Sequence, residues 1–292
     1  MAVIYGTQNV DATYSKFFEP NLYFNSWLVP GTSCTNKHQS GPAGAIYVHK
    51  MTNVAAVPPS SPGRNFEHVD AVDELIPIML CNNYQRSRKI YDVTIGAVGA
   101  AIAEESLAIA TEEVRMGREQ SALAALISQG VSTVGDVRIT PENVKEILLD
   151  ERTAISKNSG RANVILASPD TYTALLRQVG NEFLPVMNEK VQMEGRVGQW
   201  FGFTVFECNG LSASQSASFF DSDKSLVTVS QEELNSVDFI MYNSEAFSVV
   251  DNLSRYKLQD GGIIFNGVAA QVEVNSGFKV TNQTLVRVRK HS

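Results

Sequence analysis

The residues that could do acid–base or metal chemistry are few in this sequence and lie far apart. Its four histidines are His38, His49, His68 and His291. No pair of them has the HExxH spacing that places two imidazoles on one helix face around a zinc ion. An isolated histidine is more often a surface or packing residue than a ligand. The histidines therefore predict neither a metal site nor a general base.

Motifs for a nucleophile or for phosphate binding do not occur either. The sequence has no GxSxG elbow, and the serines of residues 212–218 are typical of a short low-complexity loop. The glycine-rich run at 195–202 matches neither GxGxxG nor the phosphate loop with its Gly-Lys-Ser/Thr ending. Turns around a strand explain that run better than a nucleotide site.

Carboxylates occur close together without the arrangement that catalysis needs. Residues 104–105 and 112–113 are Glu pairs in a helical pattern, where adjacent side chains point in different directions and fit a solvated face. Asp70, Asp73 and Glu74 lack the alternation and the glycine of a calcium loop. We therefore predict no catalytic residue, no metal ligand and no cofactor, and an enzyme of unknown type is only a remote alternative.

Composition excludes several further classes. The formal net charge is −7, and the three cysteines have no CxxC spacing, which favours a reducing compartment. No apolar run approaches the roughly 20 residues of a membrane span, and residues 1–9 lack the pattern of a secretory signal. Basic residues cluster only at 86–89 and 287–290, so tight and specific DNA binding is not expected.

One long amphipathic helix is predicted over residues 94–128. Apolar residues recur there at every seventh position, namely Ile95, Ile102, Ile109, Met116 and Leu123. We expect this line to face a sheet. A parallel line of glutamates (Glu105, Glu112 and Glu119) argues against a long coiled-coil seam. It also places Arg115 and Arg118 within reach of intrahelical ion pairs.

Two irregular segments precede this helix. Residues 1–40 mix aromatic residues with Asn, Pro and Gly without periodicity, which predicts an arm that covers either this chain's own core or a neighbouring chain. Residues 41–80 predict a long hairpin. It has a strand at 45–49, a proline-rich tip at 57–63 and a returning strand at 75–80.

Mixed helix and strand are predicted after the long helix. Thr140 and Pro141 are expected to begin a helix that ends at 158–160. Residues 162–167 are expected to form a buried strand. Ser168 and Pro169 then open a second helix, whose apolar face is predicted to contain Tyr172, Leu175 and Leu176.

The remainder of the chain predicts mainly strands. Residues 200–206 are expected to form one strand interrupted at Gly202. Beyond about residue 237 the chain is strand-rich, and the predicted strands are at 239–242, 247–250, 263–265, 269–274 and 285–288.

The order of these elements resembles the Hong Kong 97-type capsid fold of tailed-bacteriophage (Caudoviricetes) major capsid proteins and encapsulins. The second half carries the closest resemblance. It contains the strand and proline-containing helix start at 162–172, the Gly-x-Val-Gly … Gly-Phe-x-Val stretch at 195–205, and the Gly-Phe-Lys-Val turn at 277–280. The resemblance in element order covers essentially the whole chain.

An α+β fold in five regions is what this resemblance implies. Residues 1–40 would form an N-terminal arm and 41–84 an extended loop hairpin. Residues 85–137 would form the first part of a peripheral domain with a long spine helix, 138–236 an axial domain, and 237–292 the second part of the peripheral domain.

The same resemblance implies a major capsid protein that self-assembles into hexamers and pentamers of an icosahedral shell around double-stranded DNA. The expected contacts with neighbouring subunits come from the arm and the hairpin, at Phe17, Phe18, Phe24, Trp27, Tyr47, His49, Lys50 and Pro59. Some family members crosslink a hairpin lysine to an asparagine, and here Lys50 could pair with Asn275 or Asn282.

Further partners follow from the resemblance alone. They are a scaffolding protein, a portal, a decoration protein and non-specific contact with packaged DNA, with no membrane. The expected location is the virion, after assembly in the bacterial host cytoplasm. An encapsulin-like compartment shell is the main alternative, and a tail-tube or decoration protein is another.

Overall fold

The computed structural model describes most of the chain from residue 26 onward. The described residues are 26–35, 37–40, 46–49, 75–91, 101–158, 160–179, 184–185, 198–200, 202–212, 214–260 and 266–292. The predicted strand at 263–265, the hairpin tip and the beginning of the predicted long helix lie outside them.

Helices and strands alternate through the middle of the chain, and strands dominate its end. The helices are α1 (Ala101–Gln129), α2 (Val144–Lys157), α3 (Pro169–Val179) and α4 (Gln231–Ser236). The strands before α2 are β1 (His38–Ser40), β2 (Ile46–His49), β3 (Leu75–Ile78), β4 (Asn82–Tyr91) and β5 (Val131–Gly135). Those after it are β6 (Val164–Ala167), β7 (Leu184–Pro185), β8 (Gly198–Trp200), β9 (Phe203–Glu207), β10 (Ala217–Phe220), β11 (Leu226–Val229), β12 (Val237–Tyr242), β13 (Phe247–Asp260), β14 (Gly267–Val280) and β15 (Val286–His291).

A seven-stranded mixed sheet forms the centre of the main core. Its strand order is β5-β15-β12-β6-β9-β8-β7, with β5/β15 and β6/β9 parallel. Every residue of β12 and of β6 is buried, as expected of strands that are covered on both faces. The last turns of α1 pack into the same core together with α2 and α3. The predicted buried strand at 162–167 is thus confirmed over residues 164–167.

A second sheet is built from three long antiparallel strands in the order β13-β14-β4. Helix α1 lies across it, and a separate apolar cluster fills the contact, including Leu107, Ala110 and Val114 of the helix and Val272 and Val274 of β14. At 1.5 Å per residue the helix spans roughly 43 Å. It therefore runs from this sheet into the main core and joins the two.

The predicted apolar line of the long helix is confirmed at Leu123, which is buried in the main core, and is wrong farther towards the start of the helix. Ile109 and Met116 are 40% and 47% exposed, although their seven-residue spacing suggested a core-facing line. The buried line is instead Leu107, Ala110 and Val114, about half a turn away at 100° per residue. Small alanines can approach a sheet closely, so the face with less hydrophobic volume is the one that packs.

Of the two arginines predicted to form ion pairs within α1, Arg115 does so and Arg118 does not. Arg115 binds Glu112 and Glu119 within the helix, with its Nη1 at 2.7 Å from Glu119 Oε1. Arg118 binds Asp251 of β13 instead, through Nε–Oδ1 and Nη2–Oδ2 contacts of 2.8 and 2.5 Å. Its side chain is fully buried, so it could not remain on a solvated helix face.

The base of the predicted hairpin is confirmed. Strands β2 and β3 pair antiparallel, with Val48 opposite Ile76, and β1 adds a third strand beside β2. The chain passes directly from β3 into β4. The hairpin base is thus joined through β4 to the sheet β13-β14-β4.

Three local predictions need correction. Residues 200–206 form two antiparallel strands, because Gly202 has φ +82° and reverses the chain between Trp200 and Phe203. The helix predicted at Thr140 begins at Val144, after a turn in which the Thr140 carbonyl accepts hydrogen bonds. Leu176 is exposed, unlike its predicted neighbours on the apolar face of α3.

Other predicted boundaries hold. Ser168 caps α3 by accepting a hydrogen bond from the Thr171 amide at 3.3 Å, and α2 ends at Lys157, before the predicted stop. Strands β12, β13, β14 and β15 lie at four of the predicted C-terminal positions. Strands β12 and β15 pair within the sheet that contains β6, which groups 237–242 and 286–291 with the middle of the chain.

Breaking the Arg118–Asp251 pair should destabilise the fold strongly. Arg118→Met leaves the Asp251 carboxylate in a mostly buried position without its guanidinium, which typically costs about 3–5 kcal/mol. Urea denaturation measures the loss. Arg86→Met is the matched control, because Arg86 pairs with Glu113 at an exposed position worth at most about 1 kcal/mol. Equal losses in the two variants would contradict the structural role of Arg118.

Candidate functional site

Nucleophilic and metal-binding groups do not converge among the described residues. No three His, Cys, Asp or Glu side chains within that part of the chain lie close enough together to hold a metal ion. Burial raises the pKa of both Cys34 and Cys208 to about 12, so neither thiol is ionised at neutral pH. His291 contacts Asp238 through Nδ1 at 2.9 Å. The geometry of these groups favours packing over catalysis.

Both basic clusters found in the sequence are engaged by carboxylates. Arg86 and Arg88 of β4 bind Glu113 of α1. In the terminal cluster, Arg287 binds Glu151 and Lys290 binds Glu233, at 3.0 and 2.6 Å. These bonds offset part of the charge that a phosphate-binding surface would present.

The hairpin formed by β10 and β11 projects beside the long helix and is fixed to it. Ser121 of α1 donates a hydrogen bond to the Ser218 carbonyl at 2.8 Å. Lys279 binds Asp221 at the end of β10, and Gln129 donates to the same carboxylate at 3.4 Å. Three contacts from two elements, α1 and β14, therefore hold this hairpin in one position.

Asn82 connects the β10–β11 hairpin to the base of the extended hairpin. Its side-chain amide donates to the carbonyls of Phe220 and Ser276 at 3.1 and 3.3 Å. Its Oδ1 accepts the Phe220 amide at 2.8 Å. The buried Asn82 side chain thus takes the place of a neighbouring strand for Phe220.

An apolar groove opens where these two hairpins meet. We call it the hairpin groove; it has a volume of about 430 Å³ and is lined by Met79, Leu80, Cys81, Phe220 and Lys224. Met79 and Phe220 are 40% and 42% exposed, and Leu226, opposite Phe220 in the strand pair, is 60% exposed. Apolar side chains grouped in this way at a surface are typical of a contact with another molecule.

The segment at 26–35 packs into the chain's own core. Trp27 is only 4% exposed and Leu28 is fully buried. Ser26 donates a hydrogen bond to Glu119 of α1 at 2.5 Å. This segment therefore attaches the beginning of the described chain to the long helix.

The predicted contact residues have different outcomes. Trp27 lies in the core of its own chain, which removes it from the set available to neighbours. Tyr47 lies half-buried in β2, and His49 ends the same strand. Predicted contacts outside the described residues are Phe17, Phe18, Phe24, Lys50 and Pro59.

The residues of the hairpin groove are not recognisable from the sequence. Phe220 and Leu226 were assigned to no surface, because short strands with apolar residues on both faces do not reveal which face is exposed. The role of Asn82 is equally invisible in the sequence, since the two residues that it bonds, Phe220 and Ser276, are 138 and 194 residues away. Alternation within 217–220 was the only available signal.

The fold has clear relatives among solved structures. A chain from Mycobacterium phage Che8 matches with a TM-score of 0.53 and 12% identity, covering 90% of this chain and 97% of that one. The capsid of cyanophage P-SCSP1u matches at 0.53 and 13%, covering 91% and 87%. The mature capsid of bacteriophage PhiM1 matches at 0.53 and 12%, covering 89% and 84%.

The chain has a bacteriophage capsid fold. The predicted α+β class and capsid fold are thereby confirmed. No family model matches the sequence, and no curated protein does. The capsid fold is therefore recognisable here through structure, at identities of 12–13%. Within the described residues, no helix is both long and apolar enough to cross a membrane.

Removing the Asn82 side chain should release the β10–β11 hairpin. Asn82→Ala leaves buried groups of Phe220 and Ser276 without their partners, at an expected cost of about 1–3 kcal/mol. Hydrogen exchange at the Phe220 amide should accelerate at least tenfold. Asn83→Ala is the control, since the Asn83 amide binds Glu273 and Asn275 at exposed positions. An unchanged exchange rate at the Phe220 amide in Asn82→Ala would show that the Asn82 side chain does not hold the hairpin.

Stability should depend on the ionisation of Glu119. Burial raises the pKa of this carboxyl above its ordinary value, an effect that Arg115 and Ser26 only partly offset. A carboxyl whose pKa is higher in the folded than in the unfolded state contributes its full stability below the unfolded-state pKa. This contribution is lost as the pH rises through the folded-state pKa. We therefore expect the free energy of unfolding of Glu119→Gln, relative to that of the wild type, to be lower at pH 4 than at pH 8. Urea denaturation at the two pH values measures this difference. A pH-independent difference would contradict this.

Proposed function

We propose that this chain is the major capsid protein of a tailed bacteriophage, which self-assembles into the icosahedral head shell around double-stranded DNA. The observation that carries the proposal is the extent of the structural likeness. It spans about nine-tenths of this chain and 84–97% of the three phage chains.

Surfaces suited to several different neighbours support the proposal. A subunit of a closed shell contacts more than one neighbour, so it needs several distinct contact surfaces. The hairpin groove supplies an apolar surface, and the sheet β1-β2-β3, at the base of the predicted hairpin, supplies a second surface. We propose that the hairpin groove binds a neighbouring subunit, together with Tyr47 and the arm aromatics Phe17, Phe18 and Phe24.

A non-enzymatic role agrees with the charges of the chain. Its basic clusters are bonded to carboxylates, and its buried thiols are protonated at neutral pH. A net charge of −7 suits a shell lining that tolerates packaged DNA without holding it. We therefore propose that contact with DNA is non-specific.

The division of the chain into capsid regions is also a proposal. The arm (1–40) and the extended loop (41–84) are proposed with their predicted bounds. Because β5 pairs with β15 in the seven-stranded sheet, the first peripheral segment, predicted at 85–137, is proposed to end before residue 131. The pairing of β12 and β15 with β6 favours assigning 237–242 and 286–291 to the axial domain with 138–236. Strands β13 and β14 would then complete the peripheral domain under α1.

Partners and location follow from the proposed function. We propose hexamers and pentamers of this chain in the virion, assembled in the host cytoplasm with a scaffolding protein, a portal and a decoration protein. The Lys50 crosslink stays a prediction. Of its two possible partners, Asn275 accepts a hydrogen bond from Asn83 and Asn282 accepts one from the Thr284 amide.

Negative-stain electron microscopy of the purified chain, alone and with a scaffolding protein, tests the proposal. Closed shells or hexameric sheets are the expected result. Shells that enclose a bound cargo peptide instead of DNA would identify the encapsulin-like alternative. A uniform monomer under every condition would refute a shell function.

The hairpin groove should be required for assembly. Phe220→Ser combined with Met79→Ser removes the exposed apolar side chains that line it and should reduce shell yield at least tenfold, while circular dichroism stays unchanged. Val137→Ser is the control, because Val137 is also an exposed apolar residue but lies outside the groove. Normal shells from the double variant would show that the groove is not an interface.

A further inference from the structure

Helix α1 carries a line of apolar residues on the face opposite to its buried side. Ile102, Ile109 and Met116 are spaced by seven residues, and we call them the α1 stripe. Ile109 and Met116 are 40% and 47% exposed, and Ile102 is half-buried. The core leaves this line unused, although it is the most regular pattern in the sequence.

The α1 stripe is a single narrow row of apolar side chains along the helix. Seven residues at 100° each return to within 20° of the starting direction, so the three side chains lie in one narrow row about 21 Å long. The next residue in the row, Leu123, is buried, and a Cβ built on Gly210 would lie 2.5 Å from its Cδ1. The short 3-10 turn at Asn209–Ser212 thus marks the inner end of the row.

Acidic side chains flank the α1 stripe. Glu105 and Glu112 are exposed and lie between successive stripe residues, and Glu104 is exposed one position earlier. The nearest cation, Arg115, is bonded to Glu112 and Glu119. Farther around the helix, Glu113 holds Arg86 and Arg88. The surface around the stripe is therefore negative.

This charge selects among possible occupants. Two α1 helices from different copies would bring their glutamate rows together, and like charges along such a seam oppose pairing. Nucleic acid would be repelled for the same reason. A helix with lysine or arginine beside its apolar row would instead place opposite charges next to Glu105 and Glu112.

We propose that the α1 stripe binds an amphipathic helix of a different polypeptide, whose apolar residues repeat every seven positions and whose flanks are basic. Contact with all three stripe residues requires about 14 residues, or four helical turns. This inference does not depend on the proposed function, because it concerns the unassembled chain and a surface separate from the hairpin groove.

Fluorescence anisotropy with the full chain tests the proposal. The probe is a labelled 21-residue helical peptide with leucine at every seventh position and lysine beside each leucine. A matched peptide with glutamate in place of lysine is the control. The lysine peptide should bind at least tenfold more tightly than the glutamate peptide, and its affinity should fall when salt is raised from 50 to 500 mM. Absence of binding, or equal binding of both peptides, would overturn the proposal.

Variants of the chain locate the binding site. Ile109→Ser combined with Met116→Ser should weaken binding of the lysine peptide at least tenfold, with an unchanged circular dichroism spectrum because both side chains are exposed. Val134→Ser is the control, since Val134 is exposed on β5. Undiminished binding by the double variant overturns the proposal. Sedimentation velocity adds one more outcome: self-association that the double variant abolishes would make a second copy the occupant and would also overturn it.

Discussion

The buried pair of Arg118 and Asp251 determines how the rest of the chain is arranged around α1. Desolvating a guanidinium is costly, and the cost is offset here by two hydrogen bonds to the carboxylate and by Ser276, which donates to Asp251 at 2.6 Å. The pair joins the helix to β13 and β14 at the point where α1 passes from the three-stranded sheet into the main core. Because an unpaired Arg118 could not remain buried, the pair fixes the rotation of α1 about its own axis.

That rotation decides which surfaces the molecule presents. With Arg118 inward, Leu107, Ala110 and Val114 face β14, and the seven-residue line faces solvent. The same orientation directs Ser121 towards β10 and places Glu119 beside Ser26. The positions of the β10–β11 hairpin and of the segment at 26–35 are therefore consequences of how one helix is seated.

The surfaces of this molecule depend on contacts between residues far apart in the sequence. Asn82, at the start of β4, bonds Phe220 of the β10–β11 hairpin, 138 residues away, and Phe220 lines the hairpin groove. Several titratable groups serve packing: Asp251 and Glu151 bind Arg118 and Arg287, and the thiols of Cys34 and Cys208 are buried. A fold shared with phage capsids at 12–13% identity is consistent with selection for shape more than for individual side chains.

The sequence by itself determined the elements that depend on local physics. Alternation and β-branched content located the hairpin base and the C-terminal strands, the serine cap located the start of α3, and the alanine-rich run located α1. Tertiary structure alone decided which face of α1 is buried, because the Arg118–Asp251 pair and the packing of α1 on β14 join residues far apart in the chain. It also placed Trp27 in the chain's own core, and paired β12 and β15 with β6. Those outcomes depend on residues far apart in the chain, whose contacts no local pattern records.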